Sequence, residues 1–461
     1  MNKLAFSICI SLIVAVAVAA QKPVKPNPEI AKMVKDVSAK NIEATIRKLV
    51  SFGTRNTLSE QDNPTRGIGA ARDWLYAEFQ KISADCGGCL DVQKQTFVQP
   101  KANRIPEPTT LTNVFAVLKG TTDPTRVYVV SGHYDSMCTS PTDAKCDAPG
   151  ANDDASGTAV SLELARVMSK QKYDATIVFM AVPGEEQGLL GAAYYAEQAK
   201  VNNINIEAMF TNDIVGGVTT NKNSANRNKV RVFSEGVPSN ETEQQAGTRR
   251  SVGGENDSAS RQLARYVKEQ SDRYLKKFGA WLIYRRDRYG RGGDHIPFVE
   301  RGFAGIRFTE PDEDYTHQHQ NVRTEASVFY GDTPEFVDFE YTANVARVNL
   351  VALANLASAP AKPKGVGIVT GRLTNDTDLK WDANTDADIA GYEVVWRDTT
   401  AAEWTNSVNV GNVTIYTAKS MSKDNYFFGV RAVDKLGNKS PVVYPRPMTQ
   451  PRPAATPTPS R

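Results

Sequence analysis

The chain has 461 residues and carries 55 lysines and arginines against 52 aspartates and glutamates, which leaves a formal net charge of +3. This near balance gives no electrostatic basis for binding nucleic acid, and that class of partner is excluded. The length suits two domains of ordinary size, each able to bury its own core.

Residues 1–20 have the composition of a secretory signal peptide. Lys3 precedes an apolar stretch over residues 4–18, and small alanines follow before the polar Gln21. The stretch is too short to favour a transmembrane helix, although an uncleaved anchor is the alternative. No later segment is long and apolar enough to span a bilayer. The sequence therefore predicts a secreted or periplasmic protein without membrane insertion.

The chain after this signal alternates between two periodicities. Helix-period segments alternate with short apolar runs rich in β-branched or aromatic residues, which are typical of strands buried on both faces. The helical segments are 28–50, 68–82, 156–168, 189–199 and 258–278, and the strands are 127–130, 176–182, 206–210 and 305–308. This alternation predicts an α/β fold with an open, mostly parallel sheet flanked by helices.

Four cysteines follow the signal segment, namely Cys86, Cys89, Cys138 and Cys146. An even number in an oxidising compartment favours disulfides. Of the three possible connectivities we expect the local one, which joins Cys86 to Cys89 and Cys138 to Cys146. A zinc site of four cysteines is the alternative.

Residues able to bind metal follow the apolar runs. They are His133 in SGHYDS, Asp153 in GANDDASG, Glu185 and Glu186 in AVPGEEQGLLG, Asp213 in MFTNDIVGG, and His317 and His319 in DYTHQHQNV. In an open parallel sheet, ligands bind at the carboxyl ends of the strands, so we expect these remote segments to converge there. Imidazoles and carboxylates are the ligands that two zinc ions prefer, which indicates a hydrolase with two zinc ions.

Each of these residues also has a simpler structural interpretation. Asp153 could only cap the helix that follows it, and Glu185 with Glu186 could be a solvated acidic pair at a helix start. His133 is less ambiguous, because Asp135 stands two residues later and can accept the second ring proton of a metal-binding histidine. Since Glu185 and Glu186 are adjacent, one can bind metal while the other faces an attacking water.

Beyond the segments with potential metal ligands the composition changes. Residues 358–364 are rich in Ala, Pro and Lys, as in a linker. Short runs with period-two alternation then predict a small all-β sandwich, and the proline-rich residues 447–461 are typical of a disordered tail. The sequence therefore predicts two separable modules.

The motifs HYDS, GANDDASG, PGEEQGLLGA, NDIVG and GGDHIPF, with a late His-Gln, resemble the bacterial di-zinc aminopeptidases of clan MH, a leucyl-aminopeptidase-like group. The resemblance covers roughly residues 42–357, within a catalytic domain at 28–357, and implies the three-layer zinc exopeptidase fold. It also implies that His133 and Asp213 bind one zinc, that Glu186 and a late histidine bind the other, and that Asp153 bridges them. Glu185 would be the general base.

The same resemblance implies a cis peptide between Asp153 and Asp154, and it leaves two positions to be chosen. The histidine context of the family fits His317 better than His319, so we predict His317 as the ligand and keep His319 as the alternative. The tyrosine that assists at the substrate carbonyl would be Tyr289 or Tyr315.

The stretches LKW, IAGYEVVWR and NYFFGVRAVDKLGNKSP resemble a fibronectin type III domain over residues 365–446, with Tyr426 at the corner tyrosine of that family. Binding of a polymer or a surface is one interpretation of this module, and a spacer is the other. For the whole chain we predict a secreted zinc aminopeptidase that acts on peptides. The alternatives are a carboxypeptidase or glutaminyl cyclase on the same scaffold, and a binding protein without catalysis.

Overall fold

The computed structural model of the chain describes residues 26–217 and 225–448. The predicted signal peptide lies outside these residues, as does the predicted tail after its first two positions. The helices in these ranges are α1 (Pro28–Asp36), α2 (Ala39–Val50), α3 (Gly67–Asp85), α4 (Ala155–Met168), α5 (Leu190–Val201), α6 (Glu243–Ser251), α7 (Ala259–Tyr274), α8 (Ile296–Glu300) and α9 (Phe339–Ser358). Among these, none is long and apolar enough to cross a membrane.

The central element is an eight-stranded sheet. Its strands are β1 (Leu90–Gln99), β2 (Thr109–Leu118), β3 (Asp123–His133), β4 (Ala175–Val182), β5 (Asn205–Asn212), β6 (Lys229–Ser234), β7 (Gly279–Ile283) and β8 (Gly305–Thr309), in the order β1-β2-β4-β3-β5-β8-β6-β7. The inner strands β4, β3, β5 and β8 run parallel. The chain runs from β3 to β4 on one side and then crosses to β5 on the other side of β3. The topological switch therefore lies beside β3.

Helices cover both faces of this sheet. Along β4 the side chains of Ile177 and Phe179 enter one apolar cluster, which includes residues of α2, α4 and α9. The alternating Val178 and Met180 enter a second cluster with α5 and α8. Period-two alternation between two cores explains why β4 is apolar throughout. The predicted three-layer α/β fold is confirmed.

The C-terminal part consists of two small sheets packed face to face. Their strands are β11 (Gly367–Val369), β12 (Thr377–Lys380), β13 (Ile389–Asp398), β14 (Asn406–Gly411), β15 (Ile415–Ala418), β16 (Tyr426–Asp434) and β17 (Arg446–Met448), in the orders β15-β12-β11-β17 and β14-β13-β16. Leu379 and Trp381 from one sheet and Tyr392 and Phe428 from the other share one core. The predicted sandwich is confirmed. A short hairpin, β9 (Arg323–Glu325) with β10 (Val328–Tyr330), stands apart.

The predicted linker is part of the packed structure. Ala359 is buried, the backbone N–H of Ala361 donates to Asp386 at 3.1 Å, and Lys362 Nζ lies 2.5 Å from a carboxylate oxygen of Glu207. These contacts fix the stretch against both halves of the chain. It is therefore not a free tether.

A buried ion-pair network joins the sandwich to α7. Asp257 contacts Arg265 at 2.8 Å and Arg397 of β13 at 2.7 Å, and all three side chains are almost completely buried. Trp404 Nε1 donates to Gln262 on α7 at 2.9 Å. The predicted modules are therefore packed against each other, and removing the sandwich would take Arg397 from Asp257, which would keep Arg265.

Candidate metal centre

Six side chains converge at the carboxyl edge of the sheet. His133 is the last residue of β3, Asp213 follows β5, and Glu185 and Glu186 follow β4. Asp153 lies in the turn before α4, and His319 lies between β8 and β9. Potential ligand atoms form two groups, the first made of His133, Glu185 and Asp213 and the second of Asp153, Glu186 and His319.

Two glycines allow these segments to approach one another. A Cβ at Gly132 would lie 2.2 Å from the backbone of Gly157, where β3 meets the first turn of α4. A Cβ at Gly157 would lie 2.0 Å from the carbonyl of Asn212, at the end of β5. Larger residues at either position would push α4, and Asp153 with it, away from the other strands.

Asp153 stands between the two histidines. Its Oδ1 is 3.1 Å from His133 Nε2, and its Oδ2 is 2.8 Å from His319 Nε2. Each ring nitrogen also faces a second carboxylate, since His133 Nε2 lies 3.8 Å from Asp213 Oδ1 and His319 Nε2 lies 3.1 Å from Glu186 Oε1. The arrangement matches the predicted grouping of ligands, with one carboxylate shared between two pairs.

The atoms that face one another are suited to binding cations. Nε2 of both histidines and Oε1 of Glu186 are buried and make no hydrogen bond to any described residue. Burial disfavours a charged His319, but Glu186 and Asp153 outweigh it and raise the pKa of His319 to about 11. Ring nitrogens about 3 Å from carboxylate oxygens can share an ion held about 2.0–2.1 Å from each. The residues therefore fit zinc.

His317, the predicted ligand, lies outside the cluster. Its Nδ1 contacts the carbonyl of Gly331 at 3.1 Å, and its ring stacks on Phe336 with centroids 3.6 Å apart. The neighbouring Gln318 instead donates to Asp153 Oδ2 at 2.9 Å. The choice of His317 is corrected to His319, because the chain adopts a left-handed conformation at His319, with φ of 55°, that brings its ring to Asp153.

Replacing each histidine by alanine separates their roles. We expect His319→Ala to lower the zinc content by about one ion per chain, because Glu186 and Asp153 lose their nitrogen partner. His317→Ala should keep zinc and lose the ring contact, worth about 0.5–1.5 kcal/mol of stability, together with the contact to the Gly331 carbonyl. Metal analysis and thermal unfolding of both variants check this. Equal zinc loss in the two variants would contradict the assignment.

Asp135 supports both histidine and glutamate segments. The His133 Nδ1 atom lies 3.2 Å from the backbone carbonyl of Asp135 and 3.4 Å from its carboxylate. The same carboxylate accepts the N–H groups of Glu185 and Glu186 at 3.3 and 3.2 Å and the hydroxyl of Thr57 at 3.1 Å. Asp135 thus orients His133 as predicted, chiefly through its carbonyl, and also holds the glutamate turn.

The turn that carries Asp153 is fixed by a residue that the sequence analysis missed. The carboxylate of Asp332 accepts the N–H groups of Asn152 and Asp153, the latter at 2.7 Å. Burial raises the pKa of Asp332 to about 7.

The peptide between Asp153 and Asp154 is cis, as the resemblance implied. Asp154 caps α4 and also accepts the N–H of His133 at 3.0 Å.

Glu185 faces the open side of the centre. It lines a cavity of about 640 Å³ together with Glu186, Asp213 and His319. Burial raises the pKa of the Glu185 carboxyl well above its usual range, and the Asp213 and Glu186 carboxylates add to this effect. A carboxylate with a raised pKa beside a cluster of ligands can accept a proton from water near neutral pH.

The two candidate tyrosines do not reach the centre. Tyr289 is 86 % exposed, with the guanidinium of Arg285 3.5 Å from its ring centre, and Tyr315 is 64 % exposed. Neither side chain lines the cavity, whose walls carry Arg288 and Arg291 instead. The structure therefore places neither predicted tyrosine at the cavity, and the segment that carries Tyr289 presents Arg288 and Arg291 to it instead.

A further missed residue is Arg307 on β8. Its Nη2 lies 2.9 Å from Asp213 Oδ1, and the side chain is fully buried. The pair compensates one negative charge in a cluster of carboxylates. A single arginine within an apolar strand gives no sequence signal for this contact.

The predicted disulfides, Cys86–Cys89 and Cys138–Cys146, are both formed. The alternative of a four-cysteine zinc site is thereby excluded. The loop closed by Cys138–Cys146 bonds to three other segments: its Pro141 carbonyl accepts from Asn56 and Gln187, and the N–H of its Thr139 donates to Asn321. Gln187 and Asn321 stand one and two residues beyond Glu186 and His319.

Comparison with known proteins agrees with this geometry. Residues 113–327 match the model of peptidase family M28. A probable zinc metalloprotease of Leptosphaeria maculans is 50% identical over 422 residues, which cover 92% of this chain and 98% of that protein. A probable zinc metalloprotease of Pyrenophora tritici-repentis is 49% identical over 427 residues, 92% and 88% of the two chains.

Solved structures share the fold at lower identity. LapB from Legionella pneumophila has a TM-score of 0.52 at 20% identity and covers 73% of this chain and 76% of its own. The LapA aminopeptidase of the same organism has a TM-score of 0.50 at 19% identity, with 74% and 78% covered. The two probable zinc metalloproteases, which are 50% and 49% identical to this chain, come from fungi. The bacterial part of the predicted resemblance is therefore not supported. The chain belongs to peptidase family M28.

Proposed function

We propose that this protein is a secreted zinc-dependent aminopeptidase that removes N-terminal residues from peptides. The observation that carries the proposal is Asp153, whose two carboxylate oxygens face His133 and His319 at 3.1 and 2.8 Å. Such a shared carboxylate is what two neighbouring cations require. Family membership and the fungal relatives named as probable zinc metalloproteases support the choice of metal and reaction.

The residues of this chain then have separate tasks. Asp153 would bridge two zinc ions, held on one side by His133 with Asp213 and on the other by Glu186 with His319. Zinc at such a site supplies an activated water and polarises the scissile carbonyl. Glu185 would accept the proton of the attacking water and later deliver it to the leaving amine.

Secretion is supported by the N-terminal composition and by the two disulfides, which persist in oxidising compartments. The C-terminal sandwich, for which we keep the fibronectin type III resemblance as a proposal, could bind a polymer or a surface. A carboxypeptidase remains the second candidate, because among the residues that the structure describes the only acidic ones lining the cavity to receive a substrate amine are those of the cluster.

Metal analysis combined with a substrate screen tests the proposal. We expect purified protein to contain two zinc ions per chain, and chelation to abolish hydrolysis reversibly. Free aminoacyl chromogenic substrates should be cleaved and their N-blocked forms should not. Full activity with one zinc ion would contradict the bridging role of Asp153. Cleavage of N-blocked peptides alone would favour the carboxypeptidase, and zinc-loaded protein without any hydrolysis would favour a binding protein.

A further inference from the structure

The cavity above the metal centre has a cationic wall. Arg104, Arg288 and Arg291 line it, whereas the carboxylates that line it are the four already placed in the cluster. Its volume of about 640 Å³ is sufficient for one or two residues of a peptide. A substrate that enters it would meet guanidinium groups as well as the metal-binding side chains.

Two of the three arginines have donors to spare. Arg288 is fully engaged, since its nitrogens contact Asp287, Glu313 and the carbonyl of Gly292 at 3.0–3.1 Å. Arg291 bonds through Nη1 alone, to Glu313 at 2.7 Å. Its Nε and Nη2 have no partner among the residues that the structure describes.

Arg104 is held directly beside the centre. Its Nη1 donates to the backbone carbonyl of Glu186 at 2.6 Å, so the guanidinium is anchored one residue from Glu185. In the described part of the chain its Nε and Nη2 are also unbonded, and the residue is exposed on the cavity side. The anchoring group is a neutral carbonyl and not a carboxylate, so this contact does not pair the guanidinium with a negative charge.

In the described part of the chain Arg291 has one carboxylate partner, which it shares with two other arginines. Glu313 is contacted by Arg231, Arg288 and Arg291, at 2.8, 3.0 and 2.7 Å, whereas Arg288 also contacts Asp287 at 3.1 Å. The remaining donors of Arg291 are therefore available to a substrate anion, and the planar guanidinium group binds carboxylates through paired hydrogen bonds.

We infer that Arg291 and Arg104 bind a carboxylate of the peptide substrate close to the scissile bond. The inference rests on the proposed peptidase function and names its substrate class. The carboxylate has two chemical sources, an aspartate or glutamate side chain and the C-terminal carboxylate of a short peptide. Both supply the same anion to the same pair of cavity-lining arginines.

Four peptides tested on the zinc-loaded protein separate the sources: Leu-Asp amide, Leu-Ala acid, Leu-Ala amide and Leu-Lys amide, each with a free and an acetylated N-terminus. We expect at least one carboxylate peptide to have kcat/KM about 10-fold above that of Leu-Ala amide, and Leu-Lys amide to be the poorest. The better of the two carboxylate peptides identifies the source. Equal kcat/KM for all four would overturn the inference and leave the peptidase intact.

Arg291→Gln and Arg104→Gln should each reduce this preference severalfold, and the double variant should remove it. Lys101→Gln is the matched control, because Lys101 is an exposed cation on the segment of Arg104 that does not line the cavity. A preference that survives in the double variant would mean that the metal itself selects the carboxylate.

Binding measured without turnover keeps the test independent of hydrolysis. Calorimetry on zinc-loaded Glu185→Gln protein should give Leu-Asp amide a Kd about 10-fold below that of Leu-Asn amide. Adding Arg291→Gln and Arg104→Gln should make the two values equal. Equal values before those changes would overturn the inference, whether or not the protein hydrolyses any peptide.

Discussion

Replacing Glu185 by glutamine should lower kcat by roughly 10²–10⁴-fold, the usual contribution of a positioned acid–base group. Glutamine has nearly the same shape but cannot accept a proton from water. Since Asp135 holds the turn through backbone N–H groups, the fold of the turn should be unchanged. Zinc content and thermal unfolding should stay at wild-type values.

Glu186→Gln is the matched variant for this experiment. Its carboxylate lies 3.1 Å from His319 Nε2, so the change should weaken metal binding instead of removing a proton acceptor. Steady-state kinetics across a zinc titration distinguish the two. Added zinc should restore activity to Glu186→Gln and not to Glu185→Gln. The reverse pattern would exchange the roles of base and ligand.

Ending the chain near Pro360 should strongly destabilise the protein. The truncation exposes Asp257 and Arg265, which are buried under Arg397 of the sandwich. Removing one partner of a buried ion pair costs up to about 3–5 kcal/mol when the other charge stays buried and unpaired, and the cost here should be smaller because Asp257 keeps Arg265 at 2.8 Å. It also removes the Ala402 carbonyl, which accepts from Tyr284, the residue that precedes the arginine-bearing segment of the cavity. We therefore expect kcat to fall as well.

Thermal unfolding and steady-state kinetics of the truncated chain at matched zinc occupancy test this expectation. Arg397→Ala in the full chain should reproduce much of the loss of stability. Lys419→Ala is its control, because Lys419 is 77% exposed and pairs with Asp376 on the far surface of the sandwich. A truncated chain with unchanged melting temperature and kcat would show that the interface has no energetic role.

Strands that stand out in the sequence as continuous apolar runs could be predicted. The strands β3, β4, β5 and β8 are continuous apolar runs because helices cover both of their faces. Their parallel arrangement brings their carboxyl ends together, so His133, Asp213 and the glutamate pair could be placed at one edge without coordinates. Chain topology, more than any single motif, made that part of the centre predictable.

Features without a local pattern could not be predicted from the sequence. The helix α9 is one of them, because its buried run VNLVALANLA has no polar face and so lacks helical periodicity. His317 and His319 differ only in the direction that the loop gives each ring. The docking of the sandwich depends on Asp257 and Arg397, 140 positions apart. None of these contacts leaves a local pattern in the sequence.

The loop closed by Cys138–Cys146 connects the ligand-bearing segments to the chemistry of the surrounding compartment. Through Pro141 and Thr139 it is hydrogen-bonded to the residue after Glu186 and to the segment that follows His319. A chain folded under reducing conditions would contain every ligand and yet lack the disulfide that closes this bridging loop. Oxidative maturation would then be a step in assembling the catalytic centre, and two preparations of identical sequence could differ in activity according to where each was folded.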